Sequence, residues 1–363
     1  MKVYRVILKP KSVIYNLPTS DTIFGAICWG IRQLYGEKEL KLLLEDFDKS
    51  ERKFILSSAF PIIILPKRNV YFYPKPIFPD LKVEEMEGMA ENYKNEIVNK
   101  FNDNFNIRNK QQFSKKVLVS EYKKFKKAEY VSEKIFKRII SENSIDELFK
   151  EYILNNKIKL KNDTFLVTSD EYSEEKIFIS KVTVRNKIDR LTLSTGVAGE
   201  LYYEREIYIN SDLVKLYFFL MTEDLDFFVP IFRWLSDTGI GGNRTVGRGY
   251  YEIKIEGEIS LPNTKNSNIF ITLSRYLPKD KEINWEGENY YELLPYQSRF
   301  DTMFFKGGEF LKKRIIYLKE GSVLTFKQKS EYYGRLFIAA EFQNKAIYQN
   351  GIAFPIFGKI KIS

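Results

Sequence analysis

Residues Asp237–Tyr250 read DTGIGGNRTVGRGY, with five glycines and two arginines lying between a helical pattern (Asp224–Ser236) and an alternating one (Tyr250–Ile259). Glycine admits positive φ and close backbone approach, so successive N–H groups can turn toward one anion, while Arg244 and Arg248 add forked charged donors. Such a turn suits a nucleic-acid backbone, and a plain tight connection is its other reading. It is no Walker A loop: Gly242 and Gly247 have the spacing, but Arg248-Gly249 stands where Lys-Ser/Thr is required. Nor is it a dinucleotide fingerprint, which follows a strand and opens a helix, the reverse of the order here.

Working outward, Leu213–Met221 reads as a strongly apolar strand and Glu200–Ile209 (ELYYEREIYI) as an alternating one. Arg185–Gly199 is a polar loop with two glycines, preceded by strand character at Thr164–Thr168 and Lys176–Val184. At the start of the chain, Lys2–Lys9 alternates as a half-buried strand. Ser20 or Asp21 then caps a helix with apolar positions Ile23, Phe24, Ile27, Cys28, Ile31 and Leu34, which Gly36 stops. A short helix over Glu37–Phe47 and strand and turn over Lys53–Leu65 follow. Pro66, Pro74, Pro76 and Pro79 predict an extended stretch outside the central sheet. From about Lys82 to Leu160 the composition turns to Lys, Glu, Asn and Tyr. Arg108–Arg138 holds eleven Lys/Arg against Glu121, Glu129 and Glu133, a local charge of 11 − 3 = +8. A solvated helical insertion and a phosphate-facing surface both fit it. Past a linker at Pro262–Asn268, strands are predicted at Ile269–Tyr276, Arg314–Leu318, Ser322–Phe326, Leu336–Glu341 and Ala346–Tyr348.

The 363 residues carry 58 Lys+Arg against 48 Asp+Glu and no histidine, a net charge of +10. Without His there is no imidazole base, no Ser-His or Cys-His pair and no His metal ligand. A single cysteine, Cys28, excludes a disulfide framework and a multi-Cys metal site. No window reaches 18 apolar residues and the N-terminus has no signal-peptide core, so a soluble, cytoplasmic chain without a membrane partner is expected. At about 150 residues per domain the length predicts roughly two domains, and the succession of strand and helix patterns predicts α+β units. Positive charge with 15% aromatic residues suits a polyanion that also has rings to stack.

GGNRTVGRGYYEI resembles the C-terminal glycine-rich loop of the RAMP superfamily of CRISPR-associated proteins. Ser20–Gly30 (SDTIFGAICWG) resembles the first-helix motif of subunit four of the type III-A (Csm) effectors. Arg185–Thr192 (RNKIDRLT) with Gly199–Tyr203 (GELYY) resembles its central motif. Gly321-Ser322-Val323 and Gly351–Pro355 complete the pattern in the same order, so the motifs span residues 20–355. The resemblance implies two ferredoxin-like (RRM-like) domains, about 1–258 with the Lys-rich insertion at about 82–160, and about 259–363. It implies a non-catalytic subunit of the Cas-five group that holds the 5′ handle of the CRISPR RNA beside the large polymerase-like subunit and the first RAMP backbone subunit.

The RNA-facing groups it implies are Gly241, Gly242, Asn243, Arg244, Gly247 and Arg248 in the glycine-rich loop, Arg185, Asn186 and Arg190 in the central one, and Ser20 and Thr22 at the first helix. Arginines take phosphates or stack on bases, and Asn and backbone groups read base edges. Ser20 is equally an ordinary cap, and Asp189 is expected to pair with Arg185 or Arg190. No catalytic residue, metal or cofactor is expected. Three alternatives stand beside this reading: a processing endoribonuclease working through Tyr15 or Tyr35 with a lysine, a purely structural subunit, and the equivalent subunit of a type III-B effector.

Overall fold

Alternation in the first ten residues gives strand β1 (Lys2–Pro10), which buries Tyr4, Val6 and Leu8. The computed structural model describes every residue except 46, 48, 51–52, 102–108, 142–144, 187, 189–190, 196–200, 265, 301–310, 343–344 and 360–363. Helix α1 (Ser20–Tyr35) starts one residue earlier than its expected cap, because Thr19 holds the extended N-cap conformation and Ser20 and Asp21 lie in the first turn. Ile23, Phe24, Ile27 and Ile31 are buried, whereas Leu34 is exposed, so the apolar stripe ends a turn early. Gly36, at φ 95°, stops the helix as expected, and α2 (Glu37–Glu45) follows.

Strands β2 (Phe54–Leu56), β3 (Phe60–Leu65) and β4 (Arg68–Pro74) come next. Here the proline reading is corrected. Pro66 and Lys67 form the turn of the β3–β4 hairpin and Pro74 closes β4, so the prolines stand only at its ends and the strand lies inside the sheet. Proline is excluded from strand interiors because it lacks an N–H, and that exclusion does not reach a strand it merely brackets.

Residues 82–160 do form helices, namely α3 (Val83–Asn92), α4 (Lys94–Phe101), α5 (Lys110–Lys127), α6 (Glu133–Ile140) and α7 (Ile145–Lys150). They are not a loose appendage. Ile97, Leu118, Phe125, Phe136 and Leu148 join the main core, and β5 (Tyr130–Ser132) adds to the main sheet beside β4. Strands β6 (Ile158–Lys161) and β7 (Phe165–Thr168) complete that end of the sheet. A separate hairpin, β8 (Ile179–Asn186) with β9 (Leu201–Tyr208), stands out from the body. The chain then returns through β10 (Val214–Thr222), α8 (Leu225–Thr238) and β11 (Tyr251–Glu258). The resulting order is β11-β1-β10-β3-β4-β5-β7-β6, with β2 pairing the other end of β10. Neighbours in the row β11, β1, β10 and β2/β3 are antiparallel, with α1 after the first and α8 after the third in chain order.

The described part of residues 259–363 contains strands and no helix: β12 (Ile269–Thr272), β13 (Leu293–Tyr296), β14 (Ile315–Leu318), β15 (Val323–Thr325), β16 (Tyr333–Phe342), β17 (Lys345–Ala353) and β18 (Pro355–Gly358). A ferredoxin-like unit has two helices, and the described residues of this segment supply neither. It shares a core with the first part of the chain. Phe354 stacks on Phe219 of β10 at 5.5 Å and 22°, and Ile271, Ile352 and Ile356 belong to the same apolar cluster.

Candidate nucleic-acid interface

The glycine-rich turn is closed at its neck by its own backbone and tied at its C-terminal end to residues 12–13. Gly239 closes α8, its N–H donating to Leu235 O at 2.8 Å, and the Ile240 N–H donates to Gly249 O at 2.8 Å to shut the neck of the loop. A Cβ on Gly249 would run into the Ile240 carbonyl, and Gly249 itself sits at φ 69°, so only glycine fits there. The Gly249 N–H donates to Val13 O at 3.2 Å and the Tyr250 N–H to Ser12 Oγ at 3.0 Å. One residue on, Ile14 exchanges backbone bonds of 3.2 and 2.9 Å with Ile207 of β9. Residues 12–14 thereby fix the glycine-rich loop and the root of the hairpin to one point.

At the tip, Gly241 (φ 99°), Asn243 (φ 59°) and Gly247 (φ 81°) take left-handed conformations, and Arg244–Val246 makes one 3₁₀ turn between the last two. Among the described residues, the N–H groups of Gly241, Gly242 and Asn243 donate to no protein acceptor. Gly242, Asn243 and Gly247 are exposed, and the Asn243 amide reaches Glu204 Oε1 at 3.4 Å. Arg244 is half-buried, its carbonyl accepting from the Gly247 N–H at 3.0 Å.

Arg248 has a different place from the one the loop's composition suggests. Its side chain is 4% exposed, with Nη2 2.6 Å from Glu204 and in contact with Glu206. From the hairpin side Arg185 reaches Glu206 at 2.6 Å and Glu204 at 3.9 Å. Glu206 also accepts from Thr183 Oγ1 at 2.7 Å and Tyr208 OH at 2.8 Å. Bonding by Arg185, then Thr183 and Tyr208, with the Arg248 charge added, holds the Glu206 carboxyl at about 2. Two guanidinium charges thus meet two carboxylates, and the cluster is neutral. Arg248 is a brace between loop and hairpin, whereas Arg185, 45% exposed at its side chain, keeps a face to solvent.

Ser20 is fully buried. Its N–H donates to Ser58 Oγ at 2.9 Å and its hydroxyl accepts from the Arg275 N–H at 3.1 Å, which leaves it no solvent face for a phosphate. Thr22 is half-buried and faces the loop, its methyl 4.0 Å from where a Cβ on Gly241 would lie. Asn186 is exposed at the end of β8, paired across the hairpin with Leu201. Arg190, Asp189, Gly199 and Glu200 lie outside the described residues. The structure therefore gathers Thr22, Gly241–Arg244, Gly247 and Arg185 around one loop, and assigns Arg248 and Ser20 to the framework beneath it.

Sequence reasoning missed Glu204 and Glu206. Their signal was there: in ELYYEREIYI the period of two puts both on one face of β9, opposite the β8 face that carries Thr183 and Arg185. The other face of the hairpin exposes Val182, Val184, Leu201 and Tyr203. Among the described residues no helix is long and apolar enough to cross a membrane, and no group of three His, Cys, Asp or Glu is placed to hold a metal ion.

A family model described as the RAMP superfamily matches residues 19–252. A curated relative, the "CRISPR system Cms protein Csm4" of Thermococcus onnurineus, is 24% identical over 98% of this chain and 96% of its own. Among solved structures, a Csm3–Csm4 subcomplex of the type III-A CRISPR-Cas interference complex matches with a TM-score of 0.59 at 19% identity, covering 98% of this chain and 99% of that one. A Csm1–Csm4 cassette bound to pppApA matches at 0.56 and 18%, with complete coverage of both chains.

Proposed function

The chain belongs to the RAMP superfamily, and from that premise we propose that it is the subunit of a type III-A CRISPR effector that holds the 5′ handle of the CRISPR RNA, without cutting it. One observation carries the reading. Among the described residues, the consecutive N–H groups of Gly241, Gly242 and Asn243 find no protein acceptor at the tip of a loop closed at its neck and tied to the β8–β9 hairpin. Consecutive donors in alternating backbone conformations bind phosphate oxygens, and the Asn243 side chain can read a base edge. The sheet order β11-β1-β10-β2/β3 with α1 and α8 supports a ferredoxin-like unit within residues 1–258, and residues 259–363 are read as a second unit fastened to it. The solved relatives' pairing with Csm1 and with Csm3 supports a large-subunit partner and a RAMP backbone partner for this chain.

A second reading has its own support. The neutral Arg–Glu cluster removes two arginine charges from the cargo, and the exposed Val182, Val184, Leu201 and Tyr203 offer an apolar face, as an assembly subunit requires. Both roles are compatible with one chain.

The test is fluorescence anisotropy with a repeat-derived RNA and a scrambled control. Asn243→Gly keeps the backbone conformation and removes the side chain, and should weaken handle binding about tenfold, about 1.4 kcal/mol, with an unchanged melting temperature. Equal affinity for both RNAs together with an indifferent Asn243→Gly would refute handle recognition and leave the assembly role. Cleavage of the repeat RNA by the purified chain, lost on substituting one tyrosine or lysine, would refute the non-catalytic part.

A further inference from the structure

Helix α5 segregates its lysines. Those on its flanks are paired: Lys115 with Glu87 at 2.8 Å, Lys124 with Glu121 at 2.7 Å and Lys126 with Asp80 at 2.6 Å. Lys116, Lys123 and Lys127 are exposed and meet no carboxylate among the described residues. At 100° per residue these three share one outward face with Gln112, Val119 and Ser120, opposite the buried Ser114, Leu118, Glu121 and Phe125. The helix is fixed in place from beneath. Lys75 donates to the Phe125 and Lys126 carbonyls at 3.1 and 2.6 Å, satisfying the last turn of α5.

This face lies far from the glycine-rich loop. The loop leads into β11, at one edge of the sheet, while α5 runs into β5, five strand spacings away, which at ~4.8 Å each is roughly 24 Å. The contrast in charge is equally clear. Around the loop two arginines are neutralised by Glu204 and Glu206, whereas on α5 three cations face outward with no acid on the same face.

We infer that the outward face of α5 docks the phosphate backbone of single-stranded RNA, through Lys116, Lys123 and Lys127, without reading its sequence. Lysine ammonium groups are point charges that hold phosphates and carry no base code. The row is one residue wide and, over eleven residues at 1.5 Å, roughly 16 Å long, so it tracks one strand; a duplex would call for a second row across a groove. Val119 is the one apolar group on the face, too little to enter a bilayer. This surface is independent of the handle reading, since none of its residues belongs to the loop.

The experiment uses the full chain, a labelled 20-nucleotide oligouridylate, and the same strand annealed to its complement. In Lys116/Lys123/Lys127→Gln the slope of log affinity against log salt for the single strand should fall by about 2, or ~0.7 per lost phosphate contact, and affinity at 0.1 M salt by about a hundredfold. The corresponding Lys→Arg variant should restore both. An unchanged slope in the Gln variant with the wild-type melting temperature overturns the proposal. So does a larger loss for the duplex than for the single strand, or a lysine-dependent adsorption to phosphatidylserine vesicles with oligouridylate binding untouched.

Discussion

Arg248 Nη2 lies 2.6 Å from Glu204 with both side chains largely withdrawn from solvent, so the glycine-rich loop and the β8–β9 hairpin are tied by a buried ion pair rather than by backbone alone. Removing one member of such a pair costs more than the pair itself stabilises, because the other charge is left without compensation.

Arg248→Ala should therefore lower stability by about 3–5 kcal/mol, read as the urea midpoint, while the salt dependence of RNA binding stays as in the wild type. The composition of the loop suggests the opposite, a flattened salt slope with an intact fold. That result would place Arg248 on a phosphate.

The neck of the loop separates its glycines. Gly249→Ala puts a Cβ against the Ile240 carbonyl at a positive φ and should cost about 1–3 kcal/mol. Gly242→Ala meets nothing within 4 Å and should leave the melting temperature unchanged. Equal melting temperatures for the two variants would contradict the neck geometry.

Acid should loosen the same cluster. The Glu206 carboxyl is held at about 2, chiefly by Arg185, below its unfolded value. A carboxyl depressed in the folded state contributes stability that is complete above the unfolded value, near ~4.3, and lost as the pH falls through the folded one. The stability gap between wild type and Glu206→Gln should thus narrow from about pH 5 downward toward pH ~2, as urea midpoints would record. A gap constant over that range would show that Glu206 is not the titrating partner.

Phe354 joins the C-terminal strands to the main sheet through its stack on Phe219. Phe354→Ala should cost about 3–5 kcal/mol, and the loss should lower a single melting transition, since Ile271, Ile352 and Ile356 share the core of β10. Two separated transitions, with only the smaller one shifted, would show that residues 259–363 melt on their own.

The strands and helices of the central unit were legible wherever one residue in two or one in 3.6 is apolar, as in β1, α1 and β11. β4 was not, because the prolines at its ends carry the same letter as prolines that break a strand. The loop's glycines announced its conformation correctly. Its arginines did not announce their partners: Glu204 and Glu206 sit in an alternating strand where charge ordinarily reads as a solvated face. Ser20 shows the same limit over a longer distance. A helix-start serine is recognisable locally, but the Arg275 amide that its hydroxyl accepts from comes 255 residues later.

Strand β1 has consequences for the chain's birth. Both of its neighbours, β10 and β11, lie beyond residue 213, so β1 is made some two hundred residues before either strand it pairs with. At ~5–20 residues per second its hydrogen-bonding edges and apolar side chains wait roughly 12–50 s on the ribosome for Val214–Glu258 to emerge. During that interval β1 is an unpaired apolar edge, open to pairing with a strand of another chain.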